Sequence, residues 1–80
     1  MERARAWQVV RDQAVQLLDL APSAVREDVS FGELGVDSLS LVEYTLQLED
    51  AFDVELPEEE VLAARTFAEL VDVVLLKLHV

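Results

Sequence analysis

Apolar residues recur along this chain at steps of three and four, the spacing that places them on one face of an α-helix. The first such stretch runs from about Arg3 to Leu20. Pro22 closes it, because a proline disfavours helical geometry in the residue before it. The pattern predicts a long first helix whose buried stripe consists of Trp7, Val10, Ala14, Leu17 and Leu18.

The segment 21–37 lacks a helical repeat over its length, but it is not purely polar. A long loop without anchors is uncommon inside a small domain. We therefore expect its apolar residues to pin the segment to the rest of the fold, with a short helical turn from about Ser23 to Arg26. These anchors are Val25, Val29, Phe31, Leu34 and Val36.

Helical periodicity returns at Ser38 and continues to about Phe52, with two apolar stripes. The first stripe consists of Leu41, Tyr44 or Thr45, Leu48 and Phe52, and the second of Leu39, Val42 and Leu46. A helix needs only one broad apolar face for its own core. The second stripe is therefore either additional core or a surface for another molecule, and the sequence leaves both interpretations open.

Two further helices close the chain. Pro57 suits the first position of a short third helix, which has acidic residues in its first turn and Val61 and Ala64 as apolar positions. The pattern Thr66-Phe67-Ala68-Glu69 is a capping box that starts the last helix. The stripe of that helix consists of Phe67, Leu70, Val71, Val74, Leu75 and Leu78. We predict one all-α domain over residues 1–80, a small four-helix bundle with three long helices and one short helix.

Acidic residues dominate the polar positions: the formal net charge is -11, from 17 acidic and 6 basic residues. No Lys or Arg occurs between Arg26 and Arg65. Nucleic acid and anionic membrane surfaces are therefore unfavourable partners, and basic protein surfaces are the expected ones. The chain has no apolar run long enough to cross a bilayer and no long apolar signal segment at its start, so we expect a soluble, cytoplasmic monomer.

Metal chemistry is not predicted. Cysteine is absent, which excludes disulfides and thiolate ligands. The acidic stretch from Asp50 to Glu55 lacks the alternating acids and the central glycine of a calcium-binding loop. We expect only weak, diffuse binding of divalent cations to the acidic surface.

One short motif, Gly35-Val36-Asp37-Ser38-Leu39, combines a loop end with a helix start. Gly35 suits a sharp turn, and Asp37 is a favoured N-cap whose side-chain oxygen can accept from the free N–H groups of the first helical turn. Ser38 then lies at the first helical position, facing outward at the positive end of the helix dipole. A hydroxyl there can carry a phosphate that the helix end stabilises.

Ser38 is not predicted to be a catalytic nucleophile, because a serine needs a general base and an oxyanion site. The single histidine, His79, lies next to the C-terminus, and the Gly-x-Ser-x-Gly motif of hydrolases is absent. We therefore predict that the chain is not an enzyme.

The motif resembles the attachment site of acyl carrier proteins, in which the serine of Gly-x-Asp-Ser-Leu carries a 4'-phosphopantetheine arm. The resemblance extends to the acidic second helix, the Leu56-Pro57-Glu58 start of the third helix and the Thr66-Phe67 start of the last. It implies that Ser38 bears the arm, that its thiol holds acyl chains as thioesters, and that Asp37 helps present the site to a phosphopantetheinyl transferase. The transferase would take the arm from coenzyme A with magnesium.

The resemblance also implies two further sets of residues. The first is a docking surface on the second helix for enzymes with basic patches, among them an acyltransferase or ligase and a ketosynthase. This predicted docking surface consists of Leu39, Val42, Glu43, Leu46, Glu49 and Asp50. The second is a cavity for the acyl chain, the predicted acyl pocket, lined by Phe31, Leu48, Val61, Ala64 and Phe67.

Two features of the sequence bear on the class of cargo that the arm carries. Tyr44 and Thr45 place polar atoms where a fatty-acid carrier is more often aliphatic, which favours polyketide or another specialised synthesis over fatty-acid synthesis. Aminoacyl and peptidyl carriers usually show Gly-Gly-His-Ser at this site, whereas Asp37 precedes the serine here. An aminoacyl or peptidyl carrier and an unmodified acidic interaction module remain the alternatives.

Overall fold

Four α-helices carry most of the chain in the computed structural model, which describes residues 1–79. They are α1 (Arg3–Leu17), α2 (Ser38–Phe52), α3 (Glu58–Ala63) and α4 (Phe67–Leu78), and a 3-10 turn over Pro22–Ala24 lies between α1 and α2. The predicted all-α bundle of three long helices and one short helix is confirmed. α2 begins and ends at the predicted residues.

The predicted end of α1 is wrong by three residues. The helix stops at Leu17, and Asp19 adopts a left-handed backbone conformation with φ of 53°, which a continuing α-helix does not allow. The buried residues of α1 are Ala6, Val10 and Ala14, whereas Leu17 is 47% exposed. The periodicity placed Leu17 on the buried face, but it is the last helical residue, just before the chain turns away.

Aromatic and aliphatic side chains from every helix meet in one core. Phe67 is fully buried and contacts Phe31 and Trp7 edge to face, with ring centroids 4.8 and 5.9 Å away. Tyr44 is also buried, and its hydroxyl donates to the Val10 carbonyl oxygen at 2.6 Å. Because a buried hydroxyl needs a partner, this bond links α2 to α1 at one defined position.

The connection between α1 and α2 is anchored as predicted. Val25, Val29 and Phe31 are buried. The N–H of Phe31 donates to the Arg65 carbonyl at 2.9 Å, and the N–H of Ala68 donates to the Glu27 carbonyl at 3.0 Å. The residues that precede Ser38 are therefore fixed to the start of α4.

The capping box at the start of α4 is present, with one difference. Thr66 Oγ1 accepts from the Glu69 N–H, as predicted. The Glu69 carboxylate accepts from the N–H of Arg65 at 2.5 Å instead of from that of Thr66. Pro57 is the N-cap of α3 and not its first helical residue, so the short helix starts one residue later than expected.

Candidate functional site

The site begins with a tight turn that delivers the chain to α2. The N–H groups of Leu34 and Val36 both donate to the Phe31 carbonyl, at 3.2 and 3.0 Å. Gly35 has a φ of 73°, in the left-handed region that favours glycine. A Cβ added there would meet no atom within 4 Å, so the need for glycine is conformational and not steric.

Asp37 caps α2 from both its side chain and its main chain. Its Oδ1 accepts from the Ser40 N–H at 2.8 Å, and its carbonyl accepts from the Leu41 N–H at 3.0 Å. The hydrogen bonds from Ser40 lower the pKa of Asp37 below its ordinary value, because they stabilise the charged carboxylate. The predicted cap is confirmed.

Ser38 is the first residue of α2 and is exposed. Its backbone lies in the first turn, where N–H groups lack partners inside the helix and the helix dipole is positive. Within residues 1–79, the Ser38 hydroxyl makes no hydrogen bond to another side chain, so no described group is positioned to remove its proton. The Ser38 hydroxyl is therefore accessible for attachment of a phosphate, but no neighbouring group in the described residues is placed to activate it.

An open groove of about 380 Å³ lies beside Ser38. The loop before α2, the first turn of α2 and the segment from α3 to α4 form its walls. The lining residues are Ser30, Phe31, Gly32, Val36, Asp37, Ser38, Leu41, Leu62, Ala64 and Arg65. The serine therefore opens onto a surface channel with both apolar and charged walls.

The groove includes only part of the predicted acyl pocket. Phe31 and Ala64 line it, whereas Leu48, Val61 and Phe67 are fully buried in the core. Sequence reasoning missed Leu62 and Arg65. The available signals were an exposed leucine next to the buried Val61 and a basic residue at the end of a long interval without cations, but neither signal shows proximity to Ser38.

The second apolar stripe of α2 is largely a surface. Leu39 and Leu46 are 68% and 54% exposed, and Val42 is half-buried. Glu43 and Asp50 are exposed on the same helix. The exposed side of α2 therefore combines apolar and acidic side chains.

Glu49 differs from the other acids of the predicted docking surface. It is half-buried, and its Oε2 accepts from the Leu56 N–H at 2.7 Å. This bond ties the last turn of α2 to the residue just before α3. Glu49 therefore has a structural role that the sequence did not reveal.

Basic residues pair with acids away from this surface. Arg3 bridges Glu27 and Asp72, and Lys77 pairs with Glu60 at 2.8 Å. In the part of the chain that the structure describes, Glu43 and Asp50 have no ion-pair partner. The exposed side of α2 thus keeps its full negative charge.

Comparison with known proteins agrees with this geometry. A family model described as the phosphopantetheine attachment site matches residues 8–74, which include the whole groove and α2. The chain belongs to the acyl carrier protein family. Membership of this family establishes 4'-phosphopantetheine as the cofactor of the chain. It also establishes that the chain is a carrier and not a catalyst.

Two curated relatives illustrate the extent of the match. The acyl carrier protein of Rubrobacter xylanophilus is 39% identical over 75 residues, which cover 92% of this carrier and 93% of that protein. The acyl carrier protein of a Sulfurovum species is 38% identical over 63 residues, which cover 78% of this carrier and 84% of the relative. The similarity thus extends over more than three quarters of this chain in both comparisons, and over nearly all of it in the first.

The residues of this carrier fit the phosphopantetheine group. An exposed hydroxyl, a capped helix end that favours negative charge and an adjacent groove are the features that a phosphate-linked arm needs. Among residues 1–79, no three His, Cys, Asp or Glu side chains are grouped closely enough to hold a metal ion. None of the helices over the same residues is both long enough and apolar enough to cross a membrane.

Proposed function

We propose that Ser38 is the residue that carries the 4'-phosphopantetheine arm of this carrier. The observation that carries the proposal is the exposed hydroxyl at the first position of α2, next to a cap that Asp37 already supplies. Because Asp37 supplies the side-chain cap, the Ser38 hydroxyl stays free to be modified. When bound, the group supplies a thiol on a flexible tether, which holds an acyl cargo.

The chain's own residues have the remaining roles. The N-terminal end of α2 stabilises the negative charge of a phosphate on Ser38. Leu39, Val42 and Leu46 offer apolar contact to partner enzymes, while Glu43 and Asp50 attract their basic patches. Such electrostatics set the encounter rate and orientation more than the affinity, so these complexes should be brief and sensitive to salt.

The partners follow from this surface. We propose a phosphopantetheinyl transferase, an acyltransferase or ligase, and a ketosynthase, each with a basic patch around its active-site entrance. The setting that we propose is cytoplasmic, in common with such biosynthetic enzymes. Because these partners would use one surface in turn, they should compete with one another for α2.

For the cargo, we propose polyketide or related specialised intermediates in preference to saturated fatty-acyl chains. Two hydroxyl groups inside the bundle support this choice. Tyr44 donates to the Val10 carbonyl between α1 and α2, and Thr45 donates to the Val42 carbonyl at 2.9 Å. The packed core between these helices suits a cargo that stays in the surface groove.

Modification at Ser38 is tested by incubation with coenzyme A, magnesium and a broad-specificity phosphopantetheinyl transferase. We expect the intact mass to rise by one arm, and the rise to be absent in Ser38→Ala. The matched control is Ser40→Ala, two residues along the same helix, which should be modified normally. An unchanged mass for the native chain with an active transferase would instead favour an unmodified interaction module.

The cargo is tested by loading the arm with a long saturated acyl chain or with a short β-keto acyl chain. If the core stays closed, the long chain leaves the melting temperature equal to that of the carrier with an unloaded arm. A clear rise in melting temperature would mean that the predicted acyl pocket opens around Leu48, Val61 and Phe67. That result would favour fatty-acid synthesis.

A further inference from the structure

Arg65 forms part of the groove that contains Ser38. It is the only Lys or Arg between Arg26 and Lys77. Within the described residues, its guanidinium has no hydrogen bond and no ion-pair partner. Four other cations each lie within 3.9 Å of a carboxylate oxygen: Arg3, Arg11, Arg26 and Lys77.

The main chain of Arg65 is held in place on both sides. Its N–H donates to the Glu69 carboxylate at 2.5 Å, and its carbonyl accepts from the Phe31 N–H at 2.9 Å. These bonds fix the base of the side chain where the loop before Ser38 meets α4. Only the side-chain torsions remain to be ordered when the guanidinium binds a ligand, which limits the entropic cost.

The surroundings of Arg65 suit an anion better than a neutral group. The apolar side chains of Phe31, Leu41 and Leu62 share the groove, and a low-dielectric wall strengthens an ion pair relative to open water. Asp37 lines the groove as well, but its carboxylate already accepts from the Ser40 N–H. A guanidinium can also bind two oxygens of one phosphate or carboxylate at once.

We infer that Arg65 binds an anionic oxygen carried on the arm at Ser38. This oxygen belongs either to the phosphodiester of the arm or to the free carboxylate of a carboxylated acyl cargo. The inference rests on the proposed attachment at Ser38 and narrows the cargo class. On a chain with a net charge of -11, an anionic cargo is repelled by most of the surface, so a nearby cation has a clear electrostatic role.

The test uses two cargoes of nearly the same size and shape, of which only one is charged. A transferase can load the arm directly from malonyl-coenzyme A, which ends in a carboxylate, or from acetoacetyl-coenzyme A, which ends in a neutral methyl ketone. The probe is the side-chain Nε–H resonance of Arg65 in nitrogen-15 NMR spectra of the apo, unloaded-arm, malonyl and acetoacetyl forms. Arg26, which lies outside the groove, is the internal control.

We expect the Arg65 resonance to shift while that of Arg26 stays constant. A shift on attachment of the unloaded arm identifies the phosphodiester, and a shift that appears only with malonyl identifies the cargo carboxylate. Identical spectra in all four forms would overturn the inference. Equal shifts with malonyl and acetoacetyl, without a shift for the unloaded arm, would overturn it too, because a neutral carbonyl would then be the ligand.

Variants separate this inference from the attachment itself. Arg65→Gln should still gain the mass of one arm, which shows that Ser38 remains functional. If the cargo carboxylate is the ligand, the native malonyl form should melt at a higher temperature than the acetoacetyl form. Arg65→Gln should remove that difference, Arg65→Lys should keep part of it, and Arg26→Gln should leave it unchanged.

Discussion

Asp37 caps α2 with its side chain, while the hydroxyl of the neighbouring Ser38 stays exposed. Because the Asp37 carboxylate accepts from the Ser40 N–H, the side-chain cap of α2 does not require the serine hydroxyl. The cap and the exposed position of Ser38 could be predicted from the sequence, since an N-cap and the residue after it are local features. Arg65 and Leu62 could not, because only the packing of α3 and α4 against the loop brings them beside Ser38.

The charged Asp37 cap should make the stability of the native chain depend on pH in a specific way. The folded-state pKa of Asp37 is lowered from its ordinary value of 3.8, so its contribution is present above that value and is lost as the pH falls through the folded pKa. We expect Asp37→Ala to lower the free energy of unfolding at neutral pH. The difference from the native chain should shrink below about pH 4.

Urea unfolding over a series of pH values measures this difference. Asp37→Asn is the control, because its side-chain oxygen can still cap the helix but carries no charge. A deficit in Asp37→Ala that stays constant down to strongly acidic pH would mean that the charge of Asp37 does not contribute to the cap.

At the scale of single elements, α2 shows how one helix presents one apolar face to the core and a second apolar stripe to solvent. Leu41, Tyr44 and Leu48 face the core, while Leu39 and Leu46 face outward. The sequence predicted both stripes and both ends of the helix, because its cap and its apolar repeat agree. The end of α1 was mispredicted, since its apolar repeat continues past the point where Asp19 turns the chain.

Two acids on α2 should respond differently to mutation. Glu49→Ala deprives the Leu56 N–H of its acceptor, which should cost about 1.5 kcal/mol of unfolding free energy. Glu43→Ala removes an exposed charge and should change stability by less than about 0.5 kcal/mol. Glu43→Ala should nevertheless slow association with a basic-patched partner enzyme.

Thermal or urea unfolding, together with stopped-flow association kinetics, distinguishes the two roles. Glu49→Gln should recover part of the lost stability, because its amide oxygen can still accept a hydrogen bond. Equal stabilities of Glu43→Ala and Glu49→Ala would show that the bond to Leu56 contributes nothing to the fold.

For the whole molecule, the dominant physical feature is charge. The net charge of -11 on 80 residues opposes compaction, and the interval 27–64 contains no cation. A small domain has little stability to spare, so this repulsion is a substantial cost. The bundle itself was predictable from the helical repeats, but the contacts that close it are not sequence patterns: the bond from Tyr44 to Val10 and the pairing of the loop with α4 arise only on folding.

Screening should therefore stabilise this carrier. We expect the melting temperature to rise with sodium chloride, and to rise at lower concentration with millimolar magnesium or calcium, because ions weaken repulsion between the exposed acids. Differential scanning calorimetry at several ionic strengths gives the measurement. A melting temperature independent of salt would show that repulsion between the acids does not lower the stability of the fold.

The pinned connection before Ser38 has a practical consequence for engineering. A stretch without regular helix between two long helices invites the insertion of a tag or a fluorescent reporter. Here Phe31 and Glu27 are hydrogen-bonded to the segment that starts α4, so an insertion near them would loosen the loop that positions Ser38. The exposed turn at Pro22 and Ser23 offers a safer place to open the chain.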